Sequence, residues 1–239
     1  MKKPICDKIS FLSFEGKGGV TQVWKLTGKN GFFFMAGMAI DADGAPNAYD
    51  PENKHGLDFL GNAGKPGNWW ALATDNGKPN GNPIIQEEGE FEGFYISQTS
   101  VRDDSKKDED ITYVDARHIP CYVLPPKLVG SEKARLGDLG VVYNTKNEAI
   151  SFAIFADVGP GDSIGEGSIA LGHSLGISTD LRKKKAGQSK GVFYLVFPET
   201  ASTPAWPRTI EDMQEQAEAT FQQWGGLSQL KACASQLAD

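Results

Sequence analysis

The first forty residues limit the fold more than any other part of the chain. Apolar pieces of strand length, "ISFLSF", "VTQVWKL" and "GFFFMAGMAI", are separated by "EGKGG" and "TGKNG". Both separators are hairpin-type turns, so the segment from Ile9 to Met38 reads as a run of β-strands. "GKGG" lacks the spacing and the Lys-Ser/Thr end of a phosphate-binding loop, and a hairpin turn is the better reading. The punctuation continues downstream: 28 glycines and 13 prolines in 239 residues favour turns and short strands over long helices. "GFYISQTSV", "YVDARHIPCYVLPP", "LGDLGVVYNT", "AISFAIFADVGP" and "VFYLVFP" are further strand-like pieces. Strands this close together, without helices between them, predict a mainly β barrel or sandwich rather than alternating βαβ units. No internal repeat is visible, and the whole chain reads as a single domain with a core over about residues 31–198.

Helical spacing enters at two places. After Glu166, "GSIALGHSLGIS" carries Ile169, Leu171 and Leu175 at helical intervals and predicts a short helix. "TIEDMQEQAEATFQQW" opens with Thr209 as N-cap and acids in its first turn, and reads as an amphipathic helix. "GG" ends it before a second piece, "LSQLKACASQLA", so helices are expected over about residues 209–237. Between Met38 and Pro83 lies a long Asp-, Asn-, Gly- and Pro-rich tract whose length points to ligand lining. It contains Trp69 and Trp70 in polar surroundings, which suit either a core or a flat platform for a sugar ring. Its "DADG" opens like a calcium loop, but the downstream glutamate is absent, so no metal is expected there. "RDDSKKDED" (102–110) reads as a charged exposed loop, and "RKKKAGQSKG" as a basic one.

A net charge of −7 argues against nucleic acid as partner and suits a cationic or neutral one. No apolar run approaches membrane-spanning length. Cys6, Cys121 and Cys233 show neither metal-ligand spacing nor the even count of a disulfide framework, so buried free thiols are expected. His55, His118 and His173 sit in unrelated contexts, without a nucleophile elbow or a zinc pattern. "MKKPICDKISF" has the two lysines of an export signal but no apolar stretch after them. The expectation is a protein that is extracellular or delivered outside the cell by a route other than the general secretion signal; a chain that is not exported by that route and a trimmed mature form both stay open.

Carboxylates remain as the chemistry. "AIFADVGPGDSIGEGS" runs an apolar strand into Asp157, turns on Gly and Pro, and presents Glu166 between Gly165 and Gly167, which let substrate approach the backbone. A partly buried carboxyl is held protonated to higher pH, and a neighbouring carboxylate raises it further. One group then serves as general acid while its better-solvated partner stays ionised, the division of labour of glycoside hydrolysis. The plainer reading is that Asp157 caps a turn and Glu166 caps the following helix.

"GMAIDADGAPNAY", followed far downstream by "FAIFADVGPGDSIGEGSIALGHSLGI", resembles the fungal-type chitosanases of glycoside hydrolase family 75. The family pattern is an early "DIDxDG", then a strand ending in Asp, a Gly-rich turn, and "GEaSI-L" with its glutamate nine residues beyond that Asp. "GVVYN" before the strand and "VFYLVF" after it agree as well, and the resemblance covers roughly Met38 to Pro198. It implies endo-hydrolysis of β-1,4-linked glucosamine polymers with inversion, with Glu166 as general acid and Asp157 as base. The residues themselves leave open which of the two is acid and which base. Asp41 and Asp43 match the early aspartates and would hold substrate amines or water, or only shape a turn; Trp69 and Trp70 would line the groove. The implied partner is a polysaccharide, with no cofactor and no metal, no nucleic acid and no membrane insertion, acted on by a monomer. By analogy the barrel would be of the double-psi kind used by some inverting glycosidases. Two other readings stay open: a hydrolase of another amino-sugar glycan such as peptidoglycan, and a non-catalytic glycan-binding protein of the same fold.

Overall fold

The computed structural model describes residues 4–106 and 112–237. The lysine pair near the N-terminus and residues 107–110 of the charged loop lie outside the described residues. β1 (Lys8–Gly16) and β2 (Gly19–Leu26) form the hairpin over "EGKGG" and are joined through "TGKNG" to β3 (Phe32–Asp41). Two short pieces, β4 (Gly64–Lys65) and β5 (Asn68–Trp69), pair with each other inside the long tract. Then come β6 (Cys121–Leu124), β7 (Leu139–Asn144), β8 (Ile150–Val158), β9 (Glu166–Ser168), α1 (Ile169–Ser174), β10 (Gln188–Phe197), α2 (Ile210–Trp224) and α3 (Gly226–Ser235). The order β3-β10-β7-β8-β6-β9, with β9 pairing back onto β3, closes six strands into a barrel. β6–β8 and β3–β9 are parallel; the other ring pairs are antiparallel. Closure removes the free edges that a six-stranded open sheet would present.

Alternation decides which residues fill the barrel. Phe32, Phe34, Met38 and Ile40 of β3 point inward and pack with Tyr122, Phe155 and Tyr194. The intervening row faces outward. Phe33 lies beneath Phe221 and Trp224 of α2 with Phe193 and Leu195, while Asp41 opens toward the tract. Both helix predictions hold. Ser168 caps α1, its Oγ accepting from the Leu171 amide, and Thr209 caps α2 in the same way from Asp212. Gly225, at φ 127°, sits between α2 and α3 where an L side chain would be strained.

Two readings change. "GFYISQTSV" forms no strand of its own; Ser97 and Tyr95 make only isolated bridges to Leu72 and Ile85. The barrel wall is already paired on both sides, so this segment is held by single hydrogen bonds, such as Val101 N–H to Ala156 O at 2.9 Å. The cysteines are not all free. Cys6 and Cys233 form a disulfide with Cα atoms 4.9 Å apart, and Cys121 alone is a buried thiol. The partners are 227 residues apart and meet because α3 folds back beside the first strand, which no spacing rule reveals.

Candidate active site

Register places the two carboxylates of the strand–turn unit. Val123 of β6 is the ladder partner of Asp157 on one side and of Glu166 on the other. Ladder partners share a face, so both acids point outward from the barrel on strands flanking β6, their backbones two strand spacings (about 9.5 Å) apart. A bulge makes this possible. Between Tyr122/Phe155 and Val123/Asp157 the register slips by one, with Ala156 as the extra residue. Phe155 faces the barrel interior and Ala156 the outer core, and the slip turns Asp157 to the outer face as well. On the far side of Glu166, Ala39 is its parallel partner and Asp41 pairs with Ser168, so Asp41 joins the same face.

The tract between β3 and β6 roofs this wall. Asp43 accepts a hydrogen bond from Tyr49 Oη at 2.6 Å, and its own amide donates to Asp41 Oδ1 at 2.7 Å. Oxygens of Asp41, Asp43 and Asp157 lie within 4.8 Å of one another, a triangle the expectation of no metal did not anticipate. Three carboxylates so placed suit a hard cation or an ammonium group. Ser100 approaches from the roof: its amide donates to Asp157 Oδ1 at 2.9 Å, its hydroxyl donates to the same oxygen, and the Val158 amide adds a third bond at 2.8 Å. Three donors meet on one oxygen, and no hydrogen bond to the other is found among the described residues. No hydrogen bond to the Glu166 carboxyl is found among the described residues. Nor does any lysine or arginine there form an ion pair with these four acids.

Burial and like charge together shift the protonation equilibria. The Glu166 carboxyl is pushed up to about 7, first by burial and then by Asp157 and Asp58. Asp41 and Asp43 are raised well above the ordinary range, again by burial first, then by Glu166 for Asp41 and by Asp41 for Asp43. Asp157 is raised by burial, against which the bonds from Ser100 and Val158 pull it down. Near neutrality this is a site that holds protons.

A comparison with known families decides what kind of site it is. Residues 73–230 match the family described as fungal chitosanase of glycosyl hydrolase group 75, about two thirds of the chain. The chain belongs to that family. Its family is one of glycoside hydrolases, and a polysaccharide substrate follows from membership. The matched segment includes Asp157 and Glu166, begins later than the resemblance read from Met38, and extends into α2. Asp41, Asp43, Trp69 and Trp70 lie before it. No individually curated protein matches the chain.

Two details of the sequence reading are corrected. Trp69 is buried in a satellite core with Ala42, Ala45 and Leu72, so its ring has no face free for a sugar. Trp70 is 54% exposed, its indole N–H fixed on Asn62 O at 2.8 Å. The glycines around Glu166 are also required by packing: a Cβ on Gly165 would meet Gly37 O at 2.5 Å, and one on Gly167 would meet a Leu171 methyl at 2.7 Å, while Gly165 lines a cavity beside the site. Glu166 does not cap α1, since Ser168 does. Reading the sequence missed Ser100, Tyr49 and Asp58. Ser100 lies 57 residues from Asp157 in no motif, and only the pinning of residues 97–101 against the barrel brings it there.

Proposed function

We propose that the protein is an endo-acting glycosidase that cleaves β-1,4-linked glucosamine polymer with inversion, using Glu166 as general acid and Asp157 as general base. The observation that carries this reading is that two acids flanking Val123 are both raised by burial but only Asp157 has hydrogen bonds that offset it. Glu166 is raised to about 7 and takes no hydrogen bond from the described residues, whereas one oxygen of Asp157 is saturated by three donors. A carboxyl that keeps its proton near pH 7 can donate it to the glycosidic oxygen as the C1–O bond breaks. The free oxygen of Asp157 takes a proton from a water attacking C1 on the opposite face, giving the inverted hemiacetal. The two-strand offset supports inversion, which needs carboxyls about 6.5–9.5 Å apart to leave room for that water.

Asp41 and Asp43 would receive the substrate's ammonium group. Buried acids without a basic partner are costly when ionised; a bound ammonium supplies the missing charge. Trp70 would offer its exposed ring to a sugar further along the groove. The Cys6–Cys233 disulfide is in keeping with action in an oxidising compartment outside the cell.

The test is reducing-end release from fully deacetylated chitosan, with NMR of the nascent anomer. Wild type is expected to cleave it and give the inverted product, with Glu166→Gln and Asp157→Asn inactive. Retained activity in both variants would remove the acid pair from the reaction.

A further inference from the structure

A second feature adjoins the carboxylates. β2 leaves β3 after Phe33 and β9 joins only at Ala39, so a stretch of the outer wall of β3 is left without a strand on that side. A cavity of about 890 Å³ opens there, within the range of ligand sites. Its floor includes Met35, Gly37 and Ala39, the outward row of β3 that continues to Asp41. At 3.4 Å per residue this row carries the floor about 20 Å from Asp41 to Met35. Ala39, the strand partner of Glu166, is exposed, and Gly37 and Met35 are half-buried. Gly37 has no side chain for a reason: a Cβ there would meet Gln188 O at 2.6 Å and Ser189 O at 2.7 Å, so the irregular start of β10, where its register on β3 shifts, closes down on the strand.

That segment changes the sign of the charge. Lys190 lies on it and Lys185 just before it, and Lys146 is added from the β7–β8 turn; all three line the cavity. Among the described residues no carboxylate pairs with any of them. The one acid at the cavity, Asp162, is matched by Lys17 at 2.9 Å. The floor of β3 thus runs from four carboxylates to three unmatched ammonium groups. A uniformly cationic polymer would be held at the first end and repelled at the second.

We propose that the cavity is a run of substrate subsites for carboxylate-bearing sugar units, so that the substrate is a mixed-charge amino-sugar glycan with anionic units on one side of the scissile bond. This rests on the hydrolase reading above and specifies its substrate. Each carboxylate laid over the lysines gains a charge-assisted contact, and the acidic end keeps the amino sugar at the reacting bond.

The experiment compares chitosan with carboxymethyl chitosan, whose free amines are retained and whose hydroxyls carry carboxylates. The enzymes are wild type, Lys146→Glu/Lys185→Glu/Lys190→Glu, and a control with exposed Lys29, Lys78 and Lys127 reversed to Glu. The ratio of kcat/KM, carboxymethylated over plain, is expected to fall about tenfold in the cavity variant alone, and the difference to fade with added salt. An equal fall in the control, or no fall, overturns the proposal while leaving the hydrolase reading intact. If wild type cleaves neither polymer, the hydrolase reading falls, and the cavity is judged by binding. Retardation of Glu166→Gln protein in gels containing carboxymethyl chitosan must then be lost when the three cavity lysines are also reversed; unchanged retardation overturns the proposal.

Discussion

The barrel wall and the tract that roofs it hold their residues by different means. Along the wall, Asp41, Asp157 and Glu166 are placed by ladder register, so each position follows from its neighbours at period two. In the tract, positions are set by single side chains bonding backbone. Asp50 alone accepts from the amides of Glu52, Lys54, His55 and Gly56, and Arg182 reaches across to the carbonyls of Asn53, Gly56 and Asp58. The wall supplies carboxylates, and the tract buries them, crowds them with Asp43 and Asp58, and braces Asp157 with Ser100. Placing an acid and tuning it are separate tasks here, given to separate parts of the chain.

Substitutions can break that division, starting with the largest effect. On the wall, Glu166→Gln and Asp157→Asn should each lower the rate of polymer cleavage by about 10³-fold or more, measured by reducing-end release. The fold should tolerate the first and gain from it. The folded state holds a proton on Glu166 that the unfolded chain releases, so stability contributed by that proton is present below the ordinary glutamate range and lost as pH rises to about 7. Glu166→Gln is therefore expected to raise Tm at pH 8 by about 2–5 °C and to change it little at pH 4.

In the tract, the largest effect should be on stability. Burial alone would raise the Asp50 carboxyl, but the four amides outweigh it and hold it below the usual range. Asp50→Ala leaves those amides without their acceptor and should cost about 3 kcal/mol, read as a lower urea midpoint. Ser100→Ala removes one of the donors that lower the Asp157 carboxyl. Its acid limb in the pH–rate profile should move to higher pH, with kcat down about tenfold while KM stays near wild type. A large rise in KM with an unmoved acid limb would make Ser100 a substrate contact instead. The smallest effect is expected from Asp58→Asn. It removes one of the charges raising Glu166, so the alkaline limb should shift to lower pH by a few tenths of a unit.

The same division explains what was legible in the sequence. β3, β8, β10 and α2 could be read because periodicity and caps are local: alternation in "GFFFMAGMAI", an apolar run into Asp157, Thr209 before an acidic first turn. The pairing of Asp157 with Glu166 could be read because one turn joins their strands. The bulge at Ala156 could not, since it is a property of register between β6 and β8, more than thirty residues apart in the chain. Trp69 and Trp70 are adjacent in the same polar stretch, yet one is core and the other exposed. The difference comes from which of them the β4–β5 hairpin turns toward Ala42 and Leu72. Cys6 and Cys233 meet only after the last helix docks.

The account depends above all on Glu166 holding a proton near neutrality because the tract covers it. A pH titration of the protein carrying ¹³C-labelled glutamate carboxyls, with the Glu166 resonance assigned by its absence in Glu166→Gln, measures this directly. The account predicts a midpoint of about 7. A midpoint near 4.5, the ordinary glutamate value, would contradict it and take the general acid out of the site.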